Sequence, residues 1–161
     1  MAKTNVELLI SDFESRPVSS FMMAYTQPTD SSCQVTGIPI GGVITVKVRA
    51  LENGNLELFN WMVQKDLSKT GVIVFYDRNG SETKWLYFKD AYCVNYLEYW
   101  DDKEEVTKSE RTNRELAHWE EITISCRLIK YTNNKTEVRH MNEWKLELSE
   151  KEFDNDKFII I

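Results

Sequence analysis

His118 and His140 are the only histidines in this chain of 161 residues, so acid–base or metal chemistry would draw on them first. His118 is followed by Glu120 and Glu121. In a strand this spacing places alternate side chains on opposite faces. It differs from the His-Glu-x-x-His helix of zinc proteases, where both histidines share one face. We therefore expect ordinary hydrogen-bonding roles for both histidines.

Three cysteines, Cys33, Cys93 and Cys126, are widely spaced and form neither a CxxC pair nor a cluster with histidine. This spacing argues against a structural zinc site. Cys93 and Cys126 lie in apolar runs, where a thiol behaves as a small hydrophobic side chain. Cys33 lies in a polar loop and is expected to be a free thiol. A hydrolase that uses Cys33 as its nucleophile lacks a base that the sequence can place nearby.

The segment "GIPIGG", residues 37–42, lacks the lysine and the strand–loop–helix context of a phosphate-binding loop. Neighbouring acidic residues such as Glu104-Glu105 are typical of solvated surfaces. The sequence thus proposes no catalytic, cofactor-binding or metal-binding residue, and we expect the protein not to be an enzyme and to need no cofactor.

The net charge is −6, and the lysines and arginines are scattered among acidic residues. Nucleic-acid binding relies on clustered positive charge, so no nucleic-acid partner is expected. No stretch approaches the roughly 20 apolar residues of a membrane helix, so membrane insertion is not expected either. The first residues, "MAKTNVELLISDF", lack the apolar core of a secretory leader. We expect synthesis in a cytosol and, if the protein is exported, a route without a cleaved leader.

Most of the chain has the pattern of β-strands. Residues 43–49 alternate between apolar and polar side chains, whereas residues 71–76, "GVIVFY", are continuously apolar, as in a strand covered on both faces. Asn79-Gly80 then predicts a hairpin. Further strands are predicted over residues 20–27, from "KWLYF" through residue 100, at "EITISCRLIKY", and at "EVRHMNEWKLEL" as one strand or a strand pair.

The segment 86–100, "LYFKDAYCVNYLEYW", is the most aromatic strand. With a strict period of two, Tyr92, Val94 and Tyr96 share one face, while Cys93 lies on the other. Neither face is plainly polar. We therefore expect both faces to be covered, one of them by the helix or by another chain.

One helix is predicted over residues 52–66. Its apolar arc contains Leu56, Leu58, Phe59, Met62 and Val63. Trp61 falls on the polar arc. It either packs under a neighbouring loop or meets another subunit, since aromatic residues are enriched at interface cores.

Two irregular stretches complete the chain. The long loop at 27–42 carries Ile38 and Ile40 near its predicted tip, and isoleucines in a loop need a surface that buries them. Residues 101–117 are highly charged and are expected to form a solvated excursion. The final residues end in an isoleucine triplet, which is either an added edge strand or disordered.

About seven strands and one helix predict a mainly β fold, a small antiparallel β-barrel or two-sheet sandwich with one flanking α-helix. A face that is neither packed inward nor polar indicates assembly between copies. The alternative function is a monomeric β-barrel carrier of a small apolar ligand, which requires a dry internal cavity.

The ordered series of segments resembles the tube protein of type VI secretion systems, the Hcp or TssD family, in its Bacteroidetes branch. The segments are "GGVITVKV", "LFNWMVQKDLSKTGVIVFYDRNG", "WLYFKDAYCVNYLEYW", "EITISCRLI" and "HMNEW". The resemblance covers roughly residues 18–145. Residues 1–145 would then form a single Hcp-like barrel domain, and residues 146–161 a C-terminal extension.

The resemblance implies a structural subunit whose copies form homohexameric rings, which stack into the tube of a contractile injection system. The expected partners are further copies, a spike protein, a contractile sheath and effector cargo in the lumen. The protein would be made in the bacterial cytoplasm and exported through the apparatus into the medium or a target cell. By the same resemblance, the expected interface residues are Ile38, Pro39, Ile40 and Gly41 in the long loop, and Trp61 at the seam within a ring or as the support of that seam.

Overall fold

The computed structural model of the protein describes residues 5–101 and 118–142, and these contain seven strands and one helix. The predictions for most of residues 101–117 and for the C-terminal extension therefore lie outside the described residues. The elements are β1 Val6–Ile10, β2 Arg16–Thr26, β3 Ile40–Arg49, α1 Glu57–Val63, β4 Ser68–Tyr76, β5 Glu82–Trp100, β6 His118–Asn133 and β7 Glu137–Met141.

All strand pairs are antiparallel, in the order β3-β2-β1-β4-β5-β6-β7. An additional pairing between β3 and β6 closes six strands into a barrel. β7 pairs only with the far half of β6 among the described strands. The predicted fold class, a small antiparallel β-barrel with one helix, is confirmed. The strand β1, however, was not predicted.

Alternating apolar side chains of neighbouring strands fill the barrel interior. Ile44 and Val46 of β3 lie opposite Ile124 and Ile122 of β6, and all four side chains are fully buried. In β4, three consecutive residues, Val72, Ile73 and Val74, are buried, as expected of a strand covered on both faces. An interior packed in this way does not favour the carrier alternative.

A β-bulge in β5 changes which side chains share a face. Cys93 pairs with Ile124 and Asn95 with Thr123, so Val94 is the extra residue and its side chain is 50% exposed. Cys93 lies in the core, and Tyr96 packs against the same core. The prediction that Cys93 and Tyr96 lie on opposite faces is therefore wrong, because a strict period of two ignores the extra residue.

The predicted hairpin between β4 and β5 is confirmed. Asp77 Oδ1 accepts hydrogen bonds from the backbone N–H groups of Asn79 at 2.8 Å and Ser81 at 3.0 Å. Gly80 has a φ of 83°, a conformation that favours glycine. The turn therefore fixes where β5 begins.

The helix is shorter than predicted, and it buries a different face. Leu58 and Trp61 are each 1% exposed, whereas Phe59 and Val63 are 47% and 57% exposed. Because α1 has only seven residues, one pair of side chains three positions apart suffices to anchor it to the barrel. The predicted apolar arc is therefore right for Leu58 and Met62, which pack on the core, and wrong for Phe59 and Val63. Of the two alternatives for Trp61, burial within its own chain is the one that the structure shows.

No helix within residues 5–101 and 118–142 is both long enough and apolar enough to cross a membrane.

Candidate assembly surfaces

The residue types that could support catalysis lie far apart in the sheet. His118 pairs with Trp100 at the start of β6, and its Nε2 atom lies 3.1 Å from Glu98 Oε2. His140 is on β7 opposite Ile129, near the other end of β6. Within the described ranges, no group of three or more His, Cys, Asp or Glu residues is arranged to hold a metal ion.

The cysteines are also separated by their environments. Cys33 is exposed in the loop after β2, whereas Cys93 and Cys126 are buried. Burial raises the pKa of the Cys93 thiol to about 11, and it raises the pKa of the Cys126 thiol as well. A thiol that stays protonated is a poor nucleophile. The buried pair therefore has a packing role.

The long loop, residues 27–39, forms an ordered, solvent-exposed extension of the hairpin between β2 and β3. Thr29 and Val35 form an isolated bridge across it. Asp30 Oδ1 accepts hydrogen bonds from the N–H groups of Ser32 at 2.8 Å and Gln34 at 3.0 Å. The tip is therefore the turn from Asp30 to Cys33. The prediction that residues 37–42 form the tip is wrong.

The predicted residues Ile38, Pro39, Ile40 and Gly41 instead lie at the base of this extension, where β3 begins. Ile38 and Ile40 are 55% and 56% exposed, and Ile40 already pairs with Thr26 of β2. We call the exposed side chains of Ile38 and Ile40 the loop-base surface. Two exposed isoleucines close together make the loop base a candidate contact surface.

The backbone beneath the loop-base surface is fixed by β7. The side-chain amide of Asn142 donates to the carbonyl oxygens of Gly41 at 2.6 Å and Cys126 at 2.8 Å. His140 Nε2 lies 3.2 Å from the carbonyl oxygen of Pro39. The surface isoleucines thus stand on a rigid base, which lowers the entropy lost when they meet a partner. Sequence reasoning missed the role of Asn142 because its partners are 101 and 16 residues away.

Glycine is required at position 41 because the neighbouring Tyr25 ring leaves no space for a side chain. A Cβ atom built on Gly41 would lie 2.2 Å from a ring carbon of Tyr25. That ring meets the imidazole of His140 edge-on, with centroids 4.9 Å apart. Gly41 therefore contributes through close packing and offers no side chain to a partner.

A second apolar surface lies on the helix and its N-terminal flank. Leu56, Phe59 and Val63 are 71%, 47% and 57% exposed, and we call them the helix surface. Trp61 lies beneath it, with Nε1 donating to the Leu67 carbonyl oxygen at 2.9 Å. Trp61 can therefore serve an interface only by supporting the helix.

The helix surface rests on a buried polar network. The ring of Phe59 packs on Tyr96 at 5.4 Å between centroids, and the Tyr96 hydroxyl donates to Glu120 Oε2 at 2.7 Å. Glu120 also forms a buried ion pair with Arg16, whose Nη2 donates to the carbonyl oxygen of Arg49 at 2.9 Å. Burial and the neighbouring Glu120 carboxylate raise the pKa of Tyr96. The network holds the strands beneath the helix in one arrangement.

The end of β5 leaves a third group of apolar side chains in water. Leu97, Tyr99 and Trp100 are 51%, 44% and 65% exposed. Trp119 of β6 covers Tyr99 edge-on at 5.3 Å, and Lys47 Nζ lies 2.7 Å from the centroid of the Trp119 ring. Among residues 5–101 and 118–142, the end of the aromatic strand is therefore only partly covered.

Comparisons with known proteins agree on one family. The family model for the hemolysin coregulated protein Hcp (TssD) matches residues 2–145. Hcp1 from Flavobacterium johnsoniae is 26% identical with a TM-score of 0.69, and the alignment covers 85% of this chain and 98% of that one.

Two more distant structures share the fold. A double mutant of Hcp1 from E. coli EAEC 042 is 14% identical with a TM-score of 0.67, covering 88% of this chain and 100% of that one. The secreted protein Hcp3 from Pseudomonas aeruginosa is 10% identical with a TM-score of 0.57, covering 89% and 100%. No curated protein matches the chain in the sequence comparison.

Proposed function

The chain belongs to the Hcp (TssD) family and is a subunit of the type VI secretion tube, and from this premise we propose which of its surfaces build that tube. In the proposal, the helix surface and its supporting Trp61 form the seam between neighbouring subunits of a ring. The loop-base surface, Ile38 and Ile40 on the backbone of Pro39 and Gly41, forms the contact between stacked rings. The ring is proposed to be a homohexamer, as the family resemblance implies.

The observation that carries this proposal is the pairing of exposed apolar side chains with rigid supports. Ile38 and Ile40 project from backbone that Asn142 and His140 hold, and Phe59 rests on Tyr96. Apolar side chains lose their water shell on association, and pre-organised supports reduce the ordering cost. Repeated around a ring, such contacts bury a continuous seam.

In this proposal the protein acts by assembly and displacement, without turnover. The tube is built in the bacterial cytoplasm inside a contractile sheath, carries a spike protein at its tip, and is exported with effector cargo in its lumen. The separated histidines and protonated buried thiols fit a subunit that performs no chemistry.

Two pairs of substitutions test the assignment of surfaces. Ile38→Asp with Ile40→Asp should leave rings intact but weaken their stacking by at least about 100-fold, because two carboxylates would be desolvated at the contact. Phe59→Asp with Val63→Asp should instead give monomers. Light scattering after size-exclusion chromatography measures the ring, and negative-stain electron microscopy counts tubes.

Met22→Asp is the matched control, since Met22 is 62% exposed on β2, outside both proposed surfaces. Normal tubes from the Ile38 and Ile40 variant would remove the loop base from the stacking contact. Normal rings from the Phe59 and Val63 variant would remove the helix from the seam.

A further inference from the structure

The chain contains two Asn-Gly steps, Asn53-Gly54 before the helix and Asn79-Gly80 in the hairpin between β4 and β5. Such a step can deamidate, because the backbone nitrogen of the glycine can attack Cγ of the asparagine and glycine has no Cβ atom to obstruct the approach. Asn53 and Asn79 are both exposed, so water reaches both. The two steps differ, however, in how the fold holds the attacking nitrogen.

The hairpin protects the step at Asn79. The Gly80 N–H donates to the Asp77 carbonyl oxygen at 3.0 Å, and the N–H groups of Asn79 and Ser81 both donate to Asp77 Oδ1. The attacking nitrogen must lose its proton, and a hydrogen bond to a carbonyl oxygen holds that proton in place. Attack on Asn79 therefore requires the turn to open first.

The step at Asn53 lacks this restraint. Within residues 5–101 and 118–142, the Gly54 N–H donates to no backbone carbonyl oxygen. Apart from the residues next to it in the chain, no atom lies within 4 Å of a Cβ atom built on Gly54. Asn53 Oδ1 accepts a hydrogen bond from the Asn55 N–H at 3.1 Å. This bond polarises the side-chain carbonyl and stabilises the negative charge that its oxygen gains during attack.

We propose that Asn53 is a site of deamidation in the folded protein. The Gly54 nitrogen loses its proton and forms a bond to Asn53 Cγ, the bond from Cγ to Nδ2 breaks, and ammonia leaves with that proton. Water then opens the resulting succinimide ring at either of its two carbonyls, which gives aspartate or isoaspartate at position 53. Water is the only co-reactant, and nothing is oxidised or reduced.

The Asn53 amide takes part in a polar contact that fixes the approach to α1. Its Nδ2 donates to both carboxylate oxygens of Glu14, at 3.2 Å each, and the Glu14 N–H donates to Glu57 Oε2 at 2.9 Å. The Glu57 N–H donates to Asn55 Oδ1 at 2.9 Å. These bonds tie the turn between β1 and β2 to the first residue of the helix.

Deamidation would loosen this contact. It replaces the amide donor of Asn53 by a carboxylate that faces the Glu14 carboxylate, and like charges at this separation repel. Leu56 and Phe59 of the helix surface lie directly beyond the contact in the chain. Chains that have deamidated would therefore present an altered helix surface. The inference itself concerns the single chain and holds whether or not rings form.

Peptide mass spectrometry of the full-length protein tests the site. The folded protein is kept in mildly alkaline H₂¹⁸O, and the ¹⁸O content of the peptides that contain Asn53 and Asn79 is followed with time. Asn53 should convert at least about tenfold faster than Asn79, the factor that one retained hydrogen bond supplies. In guanidinium chloride, where these surroundings are lost, the two rates should be similar. Equal rates in the folded protein, or the same ratio in guanidinium chloride, would overturn the proposal.

Hydrogen exchange tests the effect on the helix. Asn53→Asp introduces the charge without the reaction, and the amides of Asn60 and Gln64, which form helical hydrogen bonds, should exchange about two- to fivefold faster. Adding Glu14→Gln lets the new amide donate to the new carboxylate and should restore slow exchange. Asn79→Asp is the matched control and should leave these amides unchanged. Wild-type exchange in Asn53→Asp, or no recovery with Glu14→Gln, would show that the contact does not hold the helix.

Discussion

Asp90 and Arg127 form an ion pair at the point where the inward–outward alternation of side chains reverses in both β5 and β6. Arg127 Nε donates to Asp90 Oδ2 at 2.8 Å. Phe88 and Ile129 lie opposite each other in the core, and so do Ala91 and Cys126 three positions along each strand. If the side chains alternated strictly, positions three residues apart would face opposite sides of the sheet, and one of these two pairs would point out of the barrel. In β5 the alternation reverses at Asp90, whose φ is 50°. The ion pair therefore fixes the bend that lets two long strands wrap the barrel.

Asp90→Ala should lower the free energy of unfolding by about 1–3 kcal/mol, because it removes the carboxylate from a guanidinium that stays desolvated. The Arg127 side chain is 5% exposed, so water cannot replace the lost partner well. Urea unfolding followed by circular dichroism measures the change.

Glu137→Ala is the matched control for the Asp90 variant. It removes an exposed ion pair, since the side chain of its partner Arg139 is 44% exposed, and should cost less than about 1 kcal/mol. Equal losses from the two variants would mean that the Asp90 contact behaves as an ordinary surface pair.

The bend also shows what could be predicted from sequence. The alternation of Ile44, Val46 and Val48 and the Asn79-Gly80 hairpin follow from local rules, and both are present. A bulge depends on how two strands meet, so the change of faces around Val94 and Asp90 has no local pattern. The fold class was therefore predictable, whereas the choice of which β5 side chains point into the core was not.

The candidate surfaces divide in the same way. The sequence singled out Ile38 and Ile40 because two isoleucines two positions apart in a polar loop form an apolar patch if they face water, and both are exposed. The helix surface was not predictable, because a seven-residue helix is oriented by what it docks against, and Trp61 displaced Phe59 from the core. The anchoring by Asn142 depends on contacts between distant parts of the chain, which no local motif encodes.

Asn142→Ala should weaken tube stacking more than it weakens the fold. The substitution leaves the carbonyl oxygens of Gly41 and Cys126 without the side-chain donor, at a cost of about 1–3 kcal/mol. It also frees the backbone under the loop-base surface, which raises the entropy lost on stacking. Thermal unfolding measures the first effect, and tube length by electron microscopy measures the second.

Asn134→Ala serves as the control for Asn142, since Asn134 is exposed in the turn between β6 and β7, outside both proposed surfaces. Its stability should change by less than about 0.5 kcal/mol. If the Asn142 variant is destabilised but still forms tubes of normal length, the hydrogen bonds of Asn142 are not needed for ring stacking.

Trp61→Ala should cost about 3–5 kcal/mol of folding free energy, because it empties a fully buried site beneath the helix. Trp61→Phe should cost less, since it keeps the edge contact with Phe13 and loses mainly the hydrogen bond to the Leu67 carbonyl oxygen. Chemical unfolding of both variants gives the two values. A Trp61→Phe protein that is folded but fails to form rings would show that the seam depends on how the buried indole positions the helix.

The buried thiols predict a loss of stability in alkaline solution. Burial raises the pKa of Cys93 from 9.0 to about 11, so above pH 9 the unfolded chain releases this proton while the folded chain retains it. The folded state then binds more protons, and the free energy of unfolding falls as pH rises, by about 1 kcal/mol at pH 10 from Cys93 alone. Below pH 9 both states are protonated, and the thiol contributes no pH dependence.

Urea unfolding at several pH values from 8 to 10, in reducing buffer, measures this dependence. Cys93→Ala removes one of the titrating groups, so its stability should fall less steeply over the same range than that of the wild type. Cys33→Ala is the matched control for removing a thiol outside the core, because Cys33 is exposed. A parallel decline in the wild type and the Cys93 variant would mean that water reaches the thiol in the folded protein, and that the core around Ile124 opens at the bulge.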